Sequence, residues 1–164
     1  MDPDLFQLAL KVGRTVESKG WLLATAESCT GGWIAKVITD VAGSSGWFDQ
    51  GFVTYSNAAK TRQLGVPEAL LDDDGAVSEA VARAMVQGAL GASAAHIAVA
   101  VTGIAGPDGG TKDKPVGTVW FAWASPSRVD TAVHRFSGDR EAVRRQTLIV
   151  ALEGVVERAG SDDE

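Results

Sequence analysis

Trp21-Leu22-Leu23-Ala24-Thr25-Ala26-Glu27-Ser28-Cys29-Thr30-Gly31-Gly32-Trp33-Ile34-Ala35-Lys36-Val37-Ile38-Thr39 decides the fold. Trp21 to Ala26 reads as a short buried strand, and Trp33 to Thr39 as a helix, with a turn from Glu27 to Gly32 between them. Such a turn places a side chain at the carboxyl end of a sheet, where open α/β folds bind ligands. Upstream, apolar residues at 5, 6, 8, 9, 12 and 16 predict a helix from Leu5 to Val16, stopped by Gly20. Downstream, Gly43-Ser44-Ser45-Gly46 breaks the chain. Phe48 to Tyr55 then reads as a strand and Asn57 to Leu64 as a helix. Pro67 opens one helical turn, which Asp74-Gly75 ends. Ser78 is a good N-cap for a helix to about Leu90. Ile97 to Val101 is an apolar strand of the kind buried on both faces, and a glycine-rich loop follows from Thr102 to Gly117. Thr118 to Ala124 and Val129 to Phe136 predict an antiparallel hairpin, and Asp139 caps a final helix to about Arg158. The pattern predicts a three-layer α/β sandwich. Its sheet is mixed but mostly parallel, of about five to six strands, with a late antiparallel hairpin and helices on both faces.

The 164 residues fit one domain, residues 1–164, with a core large enough to need no staples. Gly160 to Glu164 lacks apolar residues and is expected to be a mobile tail. A single cysteine permits no intramolecular disulfide and suits a reducing compartment. The acidic start Met1-Asp2-Pro3-Asp4 is unlike a secretory signal, and no run reaches the ~18 apolar residues of a membrane span. The cytoplasm is the expected location. A net charge of −6 argues against a broad nucleic-acid surface. The one basic cluster, Arg135, Arg140, Arg144 and Arg145, suits a small anionic ligand, or simply a solvated helix face.

A serine beside free backbone amides is the minimum for acyl transfer: a nucleophile and an oxyanion site. Ser28 fits that description if the amides of Thr30, Gly31 and Gly32 are unpaired donors of a helix first turn. The spacing alone favours a serine that only caps the helix, with glycines that allow a tight turn, since the G-x-S-x-G elbow is absent. Cys29 is the rival nucleophile, although a lone buried cysteine usually packs. The two histidines, His96 and His134, offer little for a Ser-His-Asp triad, so a Ser-Lys pairing is the natural alternative. Tyr55 to Lys60 spans a strand end and a helix start on the same edge. Tyr55 could relay a proton or orient Lys60, or the pair could be structural. The glycines of Thr102-Gly103-Ile104-Ala105-Gly106-Pro107-Asp108-Gly109-Gly110 let the backbone approach a ligand closely. The loop matches neither a dinucleotide nor a nucleoside-triphosphate motif, and no residue spacing suggests a metal. Arg140 and Arg144, one turn apart, form either a phosphate clamp or a surface pair balancing Asp139 and Glu141.

The Thr25–Gly32 segment, Gly51-Phe52-Val53-Thr54-Tyr55-Ser56-Asn57 with Lys60, Gly75-Ala76-Val77-Ser78, the Thr102–Gly110 loop with Lys114-Pro115-Val116-Gly117, and Gly138-Asp139-Arg140 with Val143-Arg144 together resemble the CinA carboxy-terminal domain family, over about residues 5–155. The resemblance implies nicotinamide-nucleotide amidase activity: nicotinamide mononucleotide plus water gives nicotinate mononucleotide plus ammonia, in pyridine nucleotide salvage. It implies Ser28 as nucleophile, completed by Tyr55 and Lys60. Substrate binding is expected from Thr30, Gly31, Gly32, Thr102, Gly103, Gly106, Arg140 and Arg144. It further implies no cofactor or metal, a small nucleotide rather than nucleic acid or membrane as partner, and a stand-alone homo-oligomer. A non-catalytic nucleotide-sensing or partner-binding module is the alternative.

Overall fold

A computed structural model describes residues 1–161. The strands are β1 (Leu23–Glu27), β2 (Phe48–Val53), β3 (Ile97–Gly103), β4 (Thr118–Ala124) and β5 (Val129–Arg135), in the order β2-β1-β3-β4-β5. β1 pairs in parallel with β2 and β3, while β4 is antiparallel to both neighbours, so it alone opposes the rest. The helices are α1 (Pro3–Ser18), α2 (Trp33–Thr39), α3 (Asn57–Leu64), α4 (Glu68–Asp74), α5 (Glu79–Gly91) and α6 (Arg140–Ser161).

Side chains alternate across a pleated strand, and here the alternation separates large from small. Leu23, Val99, Val101, Phe121 and Trp123 face α1, α2 and α6 in one core. Ala24, Ala26, Ala98, Ala100, Ala122 and Ala124 face α3, α4 and α5 in the other. A bed of alanines lets α5 sit close to the sheet. Crowding continues between helices, because a Cβ added at Gly88 of α5 would overlap the carbonyl of Leu64. The three layers are those expected from the sequence, with five strands.

The element ends differ from expectation for identifiable reasons. β1 starts at Leu23 rather than Trp21, because the Leu22 carbonyl accepts from the His96 amide (2.8 Å) and the Trp21 ring stacks on His96. β2 stops at Val53, where the chain turns and the Thr54 amide donates to the Glu27 carbonyl (2.8 Å). β3 runs on to Gly103, since Thr102 and Gly103 still pair with Trp120 and Val119 of β4. α6 passes Arg158 and continues to Ser161, whose hydroxyl accepts from Arg128 (3.2 Å). Gly160 and Ser161 of the expected tail are thus helical, and its remainder, 162–164, lies outside the described residues. No described helix is long and apolar enough to cross a membrane.

Candidate active site

The turn after β1 delivers Ser28 to the sheet edge. The Ser28 amide donates to the Val101 carbonyl (3.2 Å), prolonging the ladder with β3 by one residue. Its own carbonyl accepts from the Gly31 amide (3.1 Å), which closes the turn. Gly31 and Gly32 hold φ of 60° and 98°, the left-handed region that a Cβ disfavours.

Lys60 arrives from α3, which Ser56 caps by accepting from the Ala59 amide (3.1 Å). Helical side chains lean toward the helix N-terminus, so Lys60, in the first turn, reaches back over Thr54 and Tyr55. Its Nζ lies 2.9 Å from Ser28 Oγ, 2.9 Å from the Thr54 carbonyl and 3.1 Å from the Tyr55 carbonyl. Lys60 is only 1% exposed, and no carboxylate of the described residues forms an ion pair with it. Burial pulls its pKa down, opposed in part by nearby Cys29. Cys29 is itself buried, and desolvation pushes its thiol up to about 12. A thiol held so firmly protonated is a poor nucleophile at neutral pH. Neither histidine takes part: Nδ1 of His96 accepts from the Leu22 amide, and His134 packs on Phe121 and Phe136.

The expected use of the helix first turn is corrected. Glu27, fully buried, accepts from Thr30 Oγ1 (2.6 Å), the Ile34 amide (2.9 Å) and the Ala35 amide (3.0 Å), with the Gly32 amide also directed at it. Its carboxylate occupies the positive end of α2, which has no cap of its own at Gly32. Burial raises the pKa of Glu27 against these stabilising hydrogen bonds. With Gly31 and Gly32 engaged, and the Cys29 amide directed only at its own thiol, Thr30 is the residue of this turn whose amide has no oxygen acceptor among the described residues.

A cavity of about 180 Å³ opens over Ser28 and Lys60. Tyr55, Asn57 and Arg140 line it from the α3 and α6 sides; Ala76, Val77, Thr102, Gly103, Ala105 and Cys29 line the rest. It is smaller than the ~300 Å³ at which pockets begin to enclose a drug-sized ligand. A ring bearing one small group fits it better than a whole nucleotide does.

The structure brings Ser28, Lys60, Tyr55, Thr102, Gly103 and Arg140 to this cavity and leaves Thr30, Gly31, Gly32, Gly106 and Arg144 outside its lining. Tyr55 meets Lys60 through its main-chain carbonyl, while its phenol, largely exposed, accepts from Arg140 (3.3 Å). Thr102 Oγ1 donates to the Ala76 carbonyl (2.9 Å) and ties two walls together. Arg140 also donates to the Gly106 carbonyl (2.8 Å). The basic cluster is not one patch: Arg144 turns to the Ser28 turn, Arg145 to Asp2 and Arg135 to the Asp113 carbonyl.

Sequence reasoning missed Glu27 as an anchor and Asn57, Ala76, Val77 and Ala105 as walls. An acid at the end of a strand, shortly before Gly31-Gly32 and a helix that lacks a capping side chain, was the available signal for Glu27. The alanines and Val77 carry no chemical signal. Among the described residues no group of three or more His, Cys, Asp or Glu could hold a metal.

Residues 5–159 match the family described as the CinA C-terminal domain. The chain is 59% identical over 157 residues to the nicotinamide-nucleotide amidohydrolase PncC of Pseudomonas putida, covering 96% of this chain and 98% of that protein. It is 56% identical over 154 residues to the protein of the same name from Escherichia coli strain K12, covering 93% of each. A crystal structure of the competence/damage inducible protein CihA from Agrobacterium tumefaciens superimposes with a TM-score of 0.92 at 44% identity, covering 94% of both chains.

Proposed function

Because the chain belongs to the CinA C-terminal domain family, we propose that it is a nicotinamide-nucleotide amidohydrolase, converting nicotinamide mononucleotide and water to nicotinate mononucleotide and ammonia. The observation that carries the mechanism is the buried Lys60 Nζ at 2.9 Å from Ser28 Oγ. A neutral Lys60 keeps two N–H bonds for the Thr54 and Tyr55 carbonyls and turns its lone pair to the serine hydroxyl. The hydroxyl proton passes to Nζ as Oγ bonds to the carboxamide carbon, and the amide oxygen takes up the negative charge. We assign the amides of Cys29, the residue after the nucleophile, and Thr30 to that oxyanion, where one such donor is worth ~3 kcal/mol. The C–N bond then breaks as Lys60 returns the proton to the leaving nitrogen, releasing ammonia. Lys60 next takes a proton from a water that attacks the ester. The tetrahedral intermediate collapses, Ser28 regains its proton and the carboxylate leaves.

The small cavity takes the pyridine ring and its amide, so the phosphate projects to the rim. Arg140, hydrogen-bonded there to Tyr55, is its partner in this reading. The setting we propose is pyridine nucleotide salvage in the cytoplasm.

The test is release of ammonia and nicotinate mononucleotide by the purified protein after metal chelation. Ser28→Ala should bind nucleotide without turnover, and Cys29→Ala should keep most activity. The reverse result for the two variants would reassign the nucleophile. Wild-type protein that binds nucleotide without turnover would instead be a nucleotide-sensing module.

A further inference from the structure

Arg144 stands one helical turn beyond Arg140 on α6, yet it does not line the cavity. Its Nε donates to the Cys29 carbonyl (3.1 Å) and its Nη2 to the Thr30 carbonyl (3.1 Å). Its guanidinium carbon lies 5.5 Å from the centre of the Trp33 ring, on the first residue of α2. One planar fork thus ties two successive carbonyls of the nucleophile turn to a helix more than a hundred residues away in sequence. In a trans peptide the carbonyl and the following N–H point in opposite directions. Holding the Cys29 carbonyl therefore fixes the direction of the Thr30 amide, which has no oxygen acceptor among the described residues. Holding the Thr30 carbonyl likewise fixes the Gly31 amide, which donates to the carbonyl of Ser28 itself (3.1 Å). From the β1 side the Glu27 carboxylate accepts from Thr30 Oγ1 (2.6 Å). The turn is gripped between the Arg144 guanidinium on one side and the Glu27 carboxyl on the other.

We propose that Arg144 is a positioning residue for hydrolysis, holding Ser28 and its neighbouring amides in register for attack, and that it is not a phosphate ligand. The proposal rests on the amidase reading above. It requires a guanidinium: two carbonyls are met at a fixed spacing while the plane lies near an indole, which a lysine ammonium cannot reproduce.

The test measures turnover of nicotinamide mononucleotide and, separately, the rate at which a fluorophosphonate reagent labels Ser28. Arg144→Ala should lower kcat ~100-fold, the loss typical of a misplaced oxyanion donor, with KM within about threefold. Ser28 labelling should slow in parallel. Millimolar guanidinium should restore part of both in Arg144→Ala and leave the wild type unchanged, while Arg144→Lys should remain impaired. Arg140→Ala should do the opposite, raising KM by about tenfold or more with kcat less affected, as loss of a charge-assisted phosphate contact predicts. If Arg144→Ala raises KM by about that factor while kcat and labelling hold, Arg144 is a phosphate ligand and the proposal is overturned. Unchanged kinetics overturn it as well. If wild-type protein releases no ammonia, the amidase reading fails, and the labelling arm still decides the role of Arg144. Should Arg144→Ala lose its fold by circular dichroism, Arg144→Lys carries the same comparison.

Discussion

Lys60 is held by three acceptors, an arrangement that suits an ammonium, while burial favours the neutral amine. Desolvation prevails, and the pKa falls below the ordinary ~10.4. In its proposed role as base Lys60 works only when neutral, so kcat/KM should rise with pH along a single-proton limb and level off above its lowered pKa. The stability linkage has the same sign. Between the lowered folded pKa and ~10.4 the unfolded chain binds the extra proton, so wild-type stability gains with rising pH across that window, a slope that Lys60→Met should lack. Lys60→Arg, which cannot give up its proton, should lose at least ~100-fold in kcat with its circular dichroism intact. Retention of more than about a tenth of kcat, under ~1.4 kcal/mol of barrier, would move the base elsewhere. At this scale the residue types were legible: one serine after a strand, one lysine after another, and no histidine well placed. The contact between Ser28 and Lys60 was not legible, because it depends on how far β1 and β2 extend before each chain turns.

Packing is close where α5 meets the end of α3. Alanine is ordinarily favoured over glycine inside a helix by ~1 kcal/mol. At Gly88 the new methyl would overlap the Leu64 carbonyl, backbone that cannot rotate away. Gly88→Ala should therefore destabilise by roughly 1–3 kcal/mol despite its better propensity. Gly91, at the end of the same helix, has nothing within 4 Å of an added Cβ, and Gly91→Ala should be neutral or slightly stabilising. Urea unfolding of the pair checks this: equal shifts in the same direction would mean that α5 does not sit as closely as described. The helices and strands themselves were readable from period and breakers. The alanine face was present in every central strand, but alternation within an almost wholly apolar run does not say which neighbour lies on which side.

Across the whole molecule, the first and last helices close on each other through Asp2. The Asp2 side chain caps α1, accepting from the Asp4 and Leu5 amides, and also accepts from Arg145 of α6 (2.7 Å). Its hydrogen bond to Arg145 lowers its pKa to about 2. A carboxylate with a lowered folded pKa contributes stability above its ordinary value of ~3.9, and that contribution fades as pH falls toward the lowered one. Wild type should therefore melt above Asp2→Asn at neutral pH, with the gap closing between about pH 4 and pH 2. A gap independent of pH would assign the effect to something other than the carboxylate charge. The same pairing removes Arg145 from any ligand site. Three of the four clustered arginines contact carbonyls elsewhere in the chain. Every residue has a carbonyl, so no motif announces such a partner.

Local pattern by itself determined the α/β class, the strand–turn–helix around Ser28 and the late hairpin, and narrowed the candidates for acyl chemistry to a short set of residues. These follow from periodicity, breakers and residue type, which act over a few positions. Tertiary structure decided what each of those residues touches. It set Lys60 against Ser28, gave the first turn of α2 to Glu27, and divided neighbouring arginines between cavity, turn and terminus. The physical reason is that a hydrogen bond or a desolvated charge depends on distances of a few ångströms between distant segments. Those distances exist only once the sheet and its two helical layers have packed.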